Sequence, residues 1–502
     1  MFIPVVFDIS PDAEARYLSE FYRWISVCKR NSWLLMATEE YFFSPEYYIN
    51  KGRREAFDES WAQHGGYDLP LEKDFDLIQT AEIPSEIIAT LAKKCGSYSD
   101  ATVSLFKNRY NLLEEWLEDV VKKVEEQGNM IEAFIMFRKY PSFEWIAQKH
   151  NIRIIYYDIG AFRPAVYSNT ALIDFQGLFG NTAIEKRYRS FRDELNSLHD
   201  TNIMMLSKRE ILALFLEPSY LKYLRFLGEK GKYKIGLGLQ SSIFYPFYVD
   251  SYINNLDIIC EVFKAGYQKE DILMRTHPYD IIDGGYNWTK LKRDASITPL
   301  EFILKCDKVV SVGSNLIFEA MLWGKKTYAI GKCPYTFKTN QMIDEENEPE
   351  DEFLNFVCFN FFIPYELLGD EEYLRWRLEY PSEFEIYRKS LEYHFNKIGL
   401  TISQKNENEI SSKIIEAKGK NVEQLDKEPV ELSYDNIYPE NMKSILSESI
   451  HLKEKIKYYE KHVEALEENI RITSNYVKSL ENAVDSQKQY ISNLEAVQNK
   501  NM

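Results

Sequence analysis

Residues 271–331 constrain this chain more than any other stretch, because buried-strand runs and helical patterns alternate there and polar residues occupy the junctions. Ile272–Met274 is a short apolar run that leads into Arg275, Thr276 and His277, and Pro278 prevents a helix from starting at once. Pro299–Leu304 reads as a helix, Lys308–Val312 as a second buried strand, Asn315–Trp323 as a helix closed by Gly324, and Thr327–Ile330 as a further strand. Such alternation predicts a parallel sheet flanked by helices, which binds ligands at the carboxyl ends of its strands. Arg275 and His277 stand at one such end. A helix beginning at Asn315 aims unpaired backbone N–H groups and the positive end of its dipole at an anion, and Ser311, Ser314 and Asn315 add side-chain donors. This pattern predicts a phosphate site. Glu319 follows one turn later on the face of Asn315, where a carboxylate can accept hydrogen bonds from two ribose hydroxyls.

His277-Pro278, Ser311-x-x-Ser314-Asn315, Phe318-Glu319-Ala320, Gly324-Lys325-Lys326 and Gly331-x-x-Pro334-Tyr335 occur in this order. Together they resemble the donor half of bacterial capsule-polysaccharide and O-antigen glycosyltransferases, in particular the retaining β-Kdo transferases that use CMP-Kdo. The resemblance implies a GT-B fold of two Rossmann-like domains, with Arg275, His277, Ser311, Ser314, Asn315 and Glu319 binding the nucleotide. Taken singly, His277 reads as a strand cap and Glu319 as a solvated helix residue; the ordered set favours the site.

A second stretch carries the same resemblance. Tyr157-Asp158-Ile159-Gly160-Ala161-Phe162-Arg163-Pro164 follows a strand, and Ile173-Asp174-Phe175-Gln176-Gly177 follows it. The family's acidic position is usually Glu, so Asp158 is a shorter substitute; as an ordinary loop residue it would cap a turn. By resemblance, Gln240 and Arg163 face the donor sugar, and Asp250 and Asp158 are the candidate catalytic carboxylates of a double displacement. Asp250 is the only acid of the loop 241–250 and fits a plain N-cap equally well. No metal or other cofactor is expected, the donor being a substrate.

A chain of 502 residues is too long for one ordinary domain. Its net charge of −17 argues against nucleic acid as a partner, so an anionic sugar nucleotide must be held by local donors. Cys28, Cys95, Cys260, Cys306, Cys333 and Cys358 form no CxxC pair and no metal spacing, as expected in a reducing compartment. The start MFIPVVFDIS lacks a basic leader pattern and no run is apolar enough to span a membrane, so a cytoplasmic protein is expected, with at most peripheral contact at the inner face of the inner membrane.

Along the chain, Phe2–Phe7, Trp33–Met36, Ile131–Met136 and Ile152–Tyr157 read as strands of a first α/β domain, and residues 83–128 as mainly helical. His64, beside Gly65 and Gly66, reads as a packed or solvated loop histidine before it reads as a base. Asp74-Phe75-Asp76 matches a metal-binding DxD pattern but reads as surface charge. The glycines of Lys234–Gln240 suggest close approach of a ligand to the backbone. Helices between Glu366 and Ile398 are expected to cross back to the first domain.

The expected organisation is therefore 1–228 as the amino-terminal, acceptor-side Rossmann-like domain and 229–399 as the nucleotide-sugar domain with crossing helices. A polar linker over 400–440 and a coiled coil over 441–497 complete it. In the last segment Ile456, Val463, Ile470, Val477, Val484 and Ile491 occupy one heptad position and Tyr459, Leu466, Leu480 and Leu494 another, interrupted by Thr473 and Gln487. This favours a parallel dimer, the alternative being one long helix folded back on the body. The expected partners are a sugar nucleotide, an oligosaccharide or lipid-linked glycan acceptor, and a second copy or a partner protein at the coiled coil. A CDP-polyol phosphotransferase of cell-surface polymer synthesis and a non-catalytic coiled-coil assembly protein are the rival readings.

Overall fold

The computed structural model of the chain describes residues 1–7, 15–52, 59–198, 204–240, 254–277, 289–345, 348–401 and 410–420. The chain divides into units 1–432 and 433–502; the described residues all belong to the first, and the expected coiled coil lies outside them.

Unit 1–432 contains two sheets. The strands in chain order are β1 (Phe2–Val6), β2 (Leu34–Thr38), β3 (Gln79–Ile83), β4 (Ala133–Met136), β5 (Arg153–Ile159), β6 (Thr170–Asp174), β7 (Tyr233–Gly238), β8 (Ile272–Arg275), β9 (Lys292–Arg293), β10 (Cys306–Ser311), β11 (Lys326–Ala329) and β12 (Phe362–Pro364). The first sheet has the order β12-β6-β5-β4-β1-β2-β3, parallel from β5 to β3 with β6 and β12 antiparallel at the other edge. The second, β11-β10-β7-β8-β9, is parallel throughout. Two α/β sheets, one of them parallel throughout, are thus present within one unit.

Burial explains the strand order. β1, β2 and β4 are buried along their whole length, as strands covered by helices on both faces must be, and their sequences are continuous apolar runs. β3, with the sequence QTAEI, lies at the edge and is largely exposed, so no apolar run announces it. The stretch expected to be mainly helical resolves into Ser85–Cys95, Tyr98–Lys107 and Asn111–Glu126, the last burying Leu113, Leu117, Val120, Val121 and Val124.

The return to the first sheet precedes the helices expected to make it. Helix Asp351–Phe356 and a wider turn at Val357–Phe361 lead directly into β12, whose Phe362 pairs with Leu172 of β6. Helices Glu371–Leu378 and Glu383–Lys397 then fasten to the first unit through Arg153 Nη1, which donates to the Leu378 carbonyl at 2.6 Å, and an Arg187–Glu383 ion pair at 2.7 Å. Within the stretch expected as linker, Ile410–Ala417 is a helix that buries Ile414 and Ile415 against helix Lys208–Phe215. Lys418 Nζ donates to the carbonyls of Leu214 and Leu216, at 2.7 and 2.5 Å, at that helix's carboxyl end.

One apolar core runs under both sheets. Phe162, just past β5, stacks on Phe215 at 4.3 Å and meets Phe318 and Phe362, which touch each other edge to face at 5.3 Å. Each such pair adds about 0.5–1.5 kcal/mol beyond its buried area. The cluster ties the end of β5 to the helix that begins at Asn315. Among the described residues, no helix is long and apolar enough to cross a membrane.

Candidate functional site

The carboxyl ends of β5 in one sheet and of β7, β8 and β10 in the other carry nearly all the candidate residues, and side chains join them. At the end of β5, Gly160 lets the turn into β6 close tightly: its N–H donates to the Thr170 carbonyl at 2.8 Å, and a Cβ there would fall 2.2 Å from Thr170 Oγ1. This presents the Ile159 carbonyl to Asn315, whose Nδ2 donates to it at 2.8 Å. Tyr335 donates its hydroxyl to the other end of the same amide, Oδ1, at 2.8 Å.

The helix Asn315–Leu322 starts as its sequence requires. Ser314 is its N-cap, accepting the Leu316 N–H at 3.2 Å. Gln240, just beyond β7, donates its side chain to the Gly313 carbonyl and is gripped at its own backbone by Asn255, at 3.0 and 2.7 Å. Ser311 is fully buried, and its hydroxyl has no partner among the described residues. Arg275 pairs with buried Asp294 at 2.5 Å and donates to the Ser296 carbonyl at 2.9 Å; Lys305 shares Asp294 at 3.4 Å. His277 stands two residues beyond β8, partly buried.

Glu319 is the buried charge of the site. Tyr167 donates to its Oε1 at 2.7 Å, and Trp323 Nε1 donates to the Tyr167 oxygen at 2.8 Å. Burial pushes the Glu319 carboxyl up to about 7, against the Tyr167 hydrogen bond and the charges of Arg163 and Arg275, which favour ionisation. Burial, reinforced by Glu319, holds the Tyr167 phenol well above its usual range. Arg163 also donates to the Gly160 carbonyl at 3.3 Å. Asp158 accepts the Ile159 N–H at 2.8 Å and, behind burial and Cys333, helps to keep the Tyr335 phenol protonated.

The structure thus brings Asp158, Arg163, Arg275, Asn315 and Glu319 into one electrostatic neighbourhood and ties Gln240 to the turn before the helix. Asp250 lies outside the described residues. The backbone at His64 is helical, within Glu59–Gly65. Asp74 is surface charge, paired with Lys29 at 2.6 Å and accepting the Leu71 N–H at 2.8 Å; these contacts lower its pKa. The glycines of β7 serve packing between protein groups: a Cβ on Gly236 would come within 2.7 Å of Cys306 Sγ, and one on Gly238 within 2.6 Å of Leu316 Cδ2. The expected approach of a ligand to that backbone is corrected accordingly. Tyr167 and Trp323 carry no motif that marks them, whereas Tyr335 closes the Gly331-x-x-Pro334-Tyr335 pattern without a role read from it.

Residues 5–183 match the Glycosyltransferase 99 family N-terminal domain. The likeness to a glycosyltransferase therefore extends to the amino-terminal stretch, where the motifs are fewest. No curated protein matches the chain. Among solved structures, a Thermosulfurimonas dismutans KpsC, β-Kdo 2,7 transferase, is 15% identical with a TM-score of 0.35, over 50% of this chain and 82% of that one. The β-Kdo 2,4 transferase of the same KpsC is 13% identical with a TM-score of 0.29, over 44% and 77%. A Methanocaldococcus jannaschii UDP-GlcNAc 2-epimerase is 10% identical with a TM-score of 0.30, over 70% and 96%.

Proposed function

We propose that this chain is a GT-B glycosyltransferase that moves a sugar, Kdo or a related ulosonic acid, from a CMP-activated donor onto a bacterial surface polysaccharide or its lipid-linked precursor. The observation that carries the reading is the helix at Asn315: its start is tied to the end of β5, its carboxylate Glu319 stands one turn in, and the unit that faces it matches a glycosyltransferase domain. In this reading His277, Arg275 and the helix start, with Ser311 and Ser314, hold the phosphate, and Glu319 holds the ribose. Gln240 and Arg163 face the sugar.

The proposed chemistry is a double displacement and calls for no metal. Asp250 attacks the anomeric carbon as the bond to the CMP oxygen breaks. The acceptor hydroxyl, giving its proton to Asp158, then displaces Asp250 from the same carbon. The protein acts at the inner face of the membrane, and residues 442–495 join catalytic bodies or dock them to assembly partners.

The test is incubation with CMP-, CDP- and UDP-sugars while nucleotide release is followed. CMP release with transfer of the sugar is the expected result; a product that retains phosphate would favour a CDP-polyol phosphotransferase. His277→Ala should lose a charge-assisted hydrogen bond of about 1.5–3 kcal/mol and with it at least about tenfold in transfer. Unchanged kinetics in the folded variant would remove His277 from the site.

A further inference from the structure

Tyr167 belongs to the first half of the chain, yet its hydroxyl ends on a carboxylate of the second. Its ring packs on Phe162 at 5.1 Å, and it is buried together with Trp323 and Glu319. The indole N–H of Trp323 can only donate, so it takes the lone-pair side of the phenol at 2.8 Å. The single phenolic proton is then committed to Glu319 Oε1, 2.7 Å away. Glu319 and Trp323 are four residues apart on one helix face, which clamps Tyr167 across both. Among the described residues, the charged groups that act on the carboxyl are Arg163 beyond β5 and Arg275 at the end of β8.

We infer that Tyr167 is a positioning residue for nucleotide binding: its hydroxyl holds the Glu319 carboxylate as an acceptor for the ribose, so that the first half of the chain helps the second to read the nucleotide. The inference rests on the reading of Glu319 as the ribose ligand. An ionised carboxylate accepts from both ribose hydroxyls with charge-assisted strength, whereas a neutral carboxyl turns one acceptor into a donor. Burial alone disfavours the ionised form, and the Tyr167 hydrogen bond is the largest of the contributions that restore it. Without that bond the carboxyl titrates higher. Less of it is then ionised at neutral pH.

The experiment is calorimetric binding of CMP, without acceptor or turnover, from pH 6 to 9, to the full chain and to Tyr167→Phe. The phosphate of CMP titrates in both and cancels in the comparison. Wild-type affinity should rise with pH through about 7, the value to which burial pushes Glu319. For Tyr167→Phe the rise should come at higher pH; a shift of one unit makes binding about tenfold weaker on the acid side of the rise, with the two curves converging by pH 9. The deficit should shrink when 2′-deoxy-CMP replaces CMP. Trp323→Phe, which frees the phenol to rotate, should shift the curve the same way by less, and stands in if Tyr167→Phe does not fold. A deficit that is equal at every pH would show Tyr167 to be merely structural and overturn the inference alone. Absence of CMP binding by the wild type would overturn the reading of the function and the inference with it.

Discussion

His394 shows how strongly single buried groups tie this protein to its pH. It lies on helix Glu383–Lys397 with its ring against Phe215 at 4.6 Å and Phe359 at 5.8 Å, and its Nε2 has no partner among the described residues. Burial pushes its pKa down to about 3; Glu366 opposes this, and Lys397 and Lys418 add to it. A histidine depressed in the folded state contributes stability that is full above the unfolded pKa of about 6.5 and drains away as pH falls toward the folded value. Between pH 7 and 5 the unfolded chain gains a proton that the folded chain refuses, which costs about 2 kcal/mol. The urea midpoint of the wild type should therefore fall over that range by more than that of His394→Leu, and parallel slopes for the two proteins would refute the assignment. Legibility at this scale follows contact distance. The helix start at Asn315 and its N-cap Ser314 are readable because a strand-to-helix junction is a local pattern, whereas Tyr167 reaches Glu319 across 152 residues of sequence, a contact that only the folded chain creates. The β7 glycines mislead for a related reason: a missing side chain marks close approach but does not say whether a ligand or Leu316 approaches.

At the scale of elements, buried parallel strands were readable because continuous apolar runs between helical patterns have few other uses. β3 escaped because an edge strand needs little apolar surface, and β12 because three residues in an aromatic stretch carry no period. Helix Ile410–Ala417 escaped because its polar surroundings read as linker, although Ile414 and Ile415 are as buried as any core residue. Its docking makes a prediction about where the body ends. Ile414→Ala should cost about 2–5 kcal/mol, the usual range for truncating a fully buried aliphatic side chain. Truncation after Leu400 removes both isoleucines and the Lys418 bonds to Leu214 and Leu216. That protein should melt well below one truncated after Lys420, which keeps the helix. Equal melting temperatures would mean that the helix does not hold its place in solution.

For the molecule as a whole, parallel α/β structure was legible from the alternation of strand and helix patterns, but the way its two sheets interlock was not. Phe162, Asn315 and Tyr167 weld the two sheets' halves of the body together, and β12 returns the chain to the first sheet before the last helices are laid down. Among the described residues this body runs to Lys420, whereas the heptads of 442–495 fall in the other unit. A continuous helix over those residues would extend roughly 80 Å at 1.5 Å per residue, and its apolar seam calls for another helix along its length. The polar residues between Lys420 and Met442 would then act as a tether that lets the catalytic body reach successive acceptor ends while the tail stays fixed. Light scattering should accordingly report an oligomer for the full chain and a monomer after truncation at Lys420, with transfer to a small soluble acceptor nearly unchanged. If the full chain is already monomeric at micromolar concentration and captures no partner through 442–495, the tether is wrong, and a tail folded back on its own body becomes the better account.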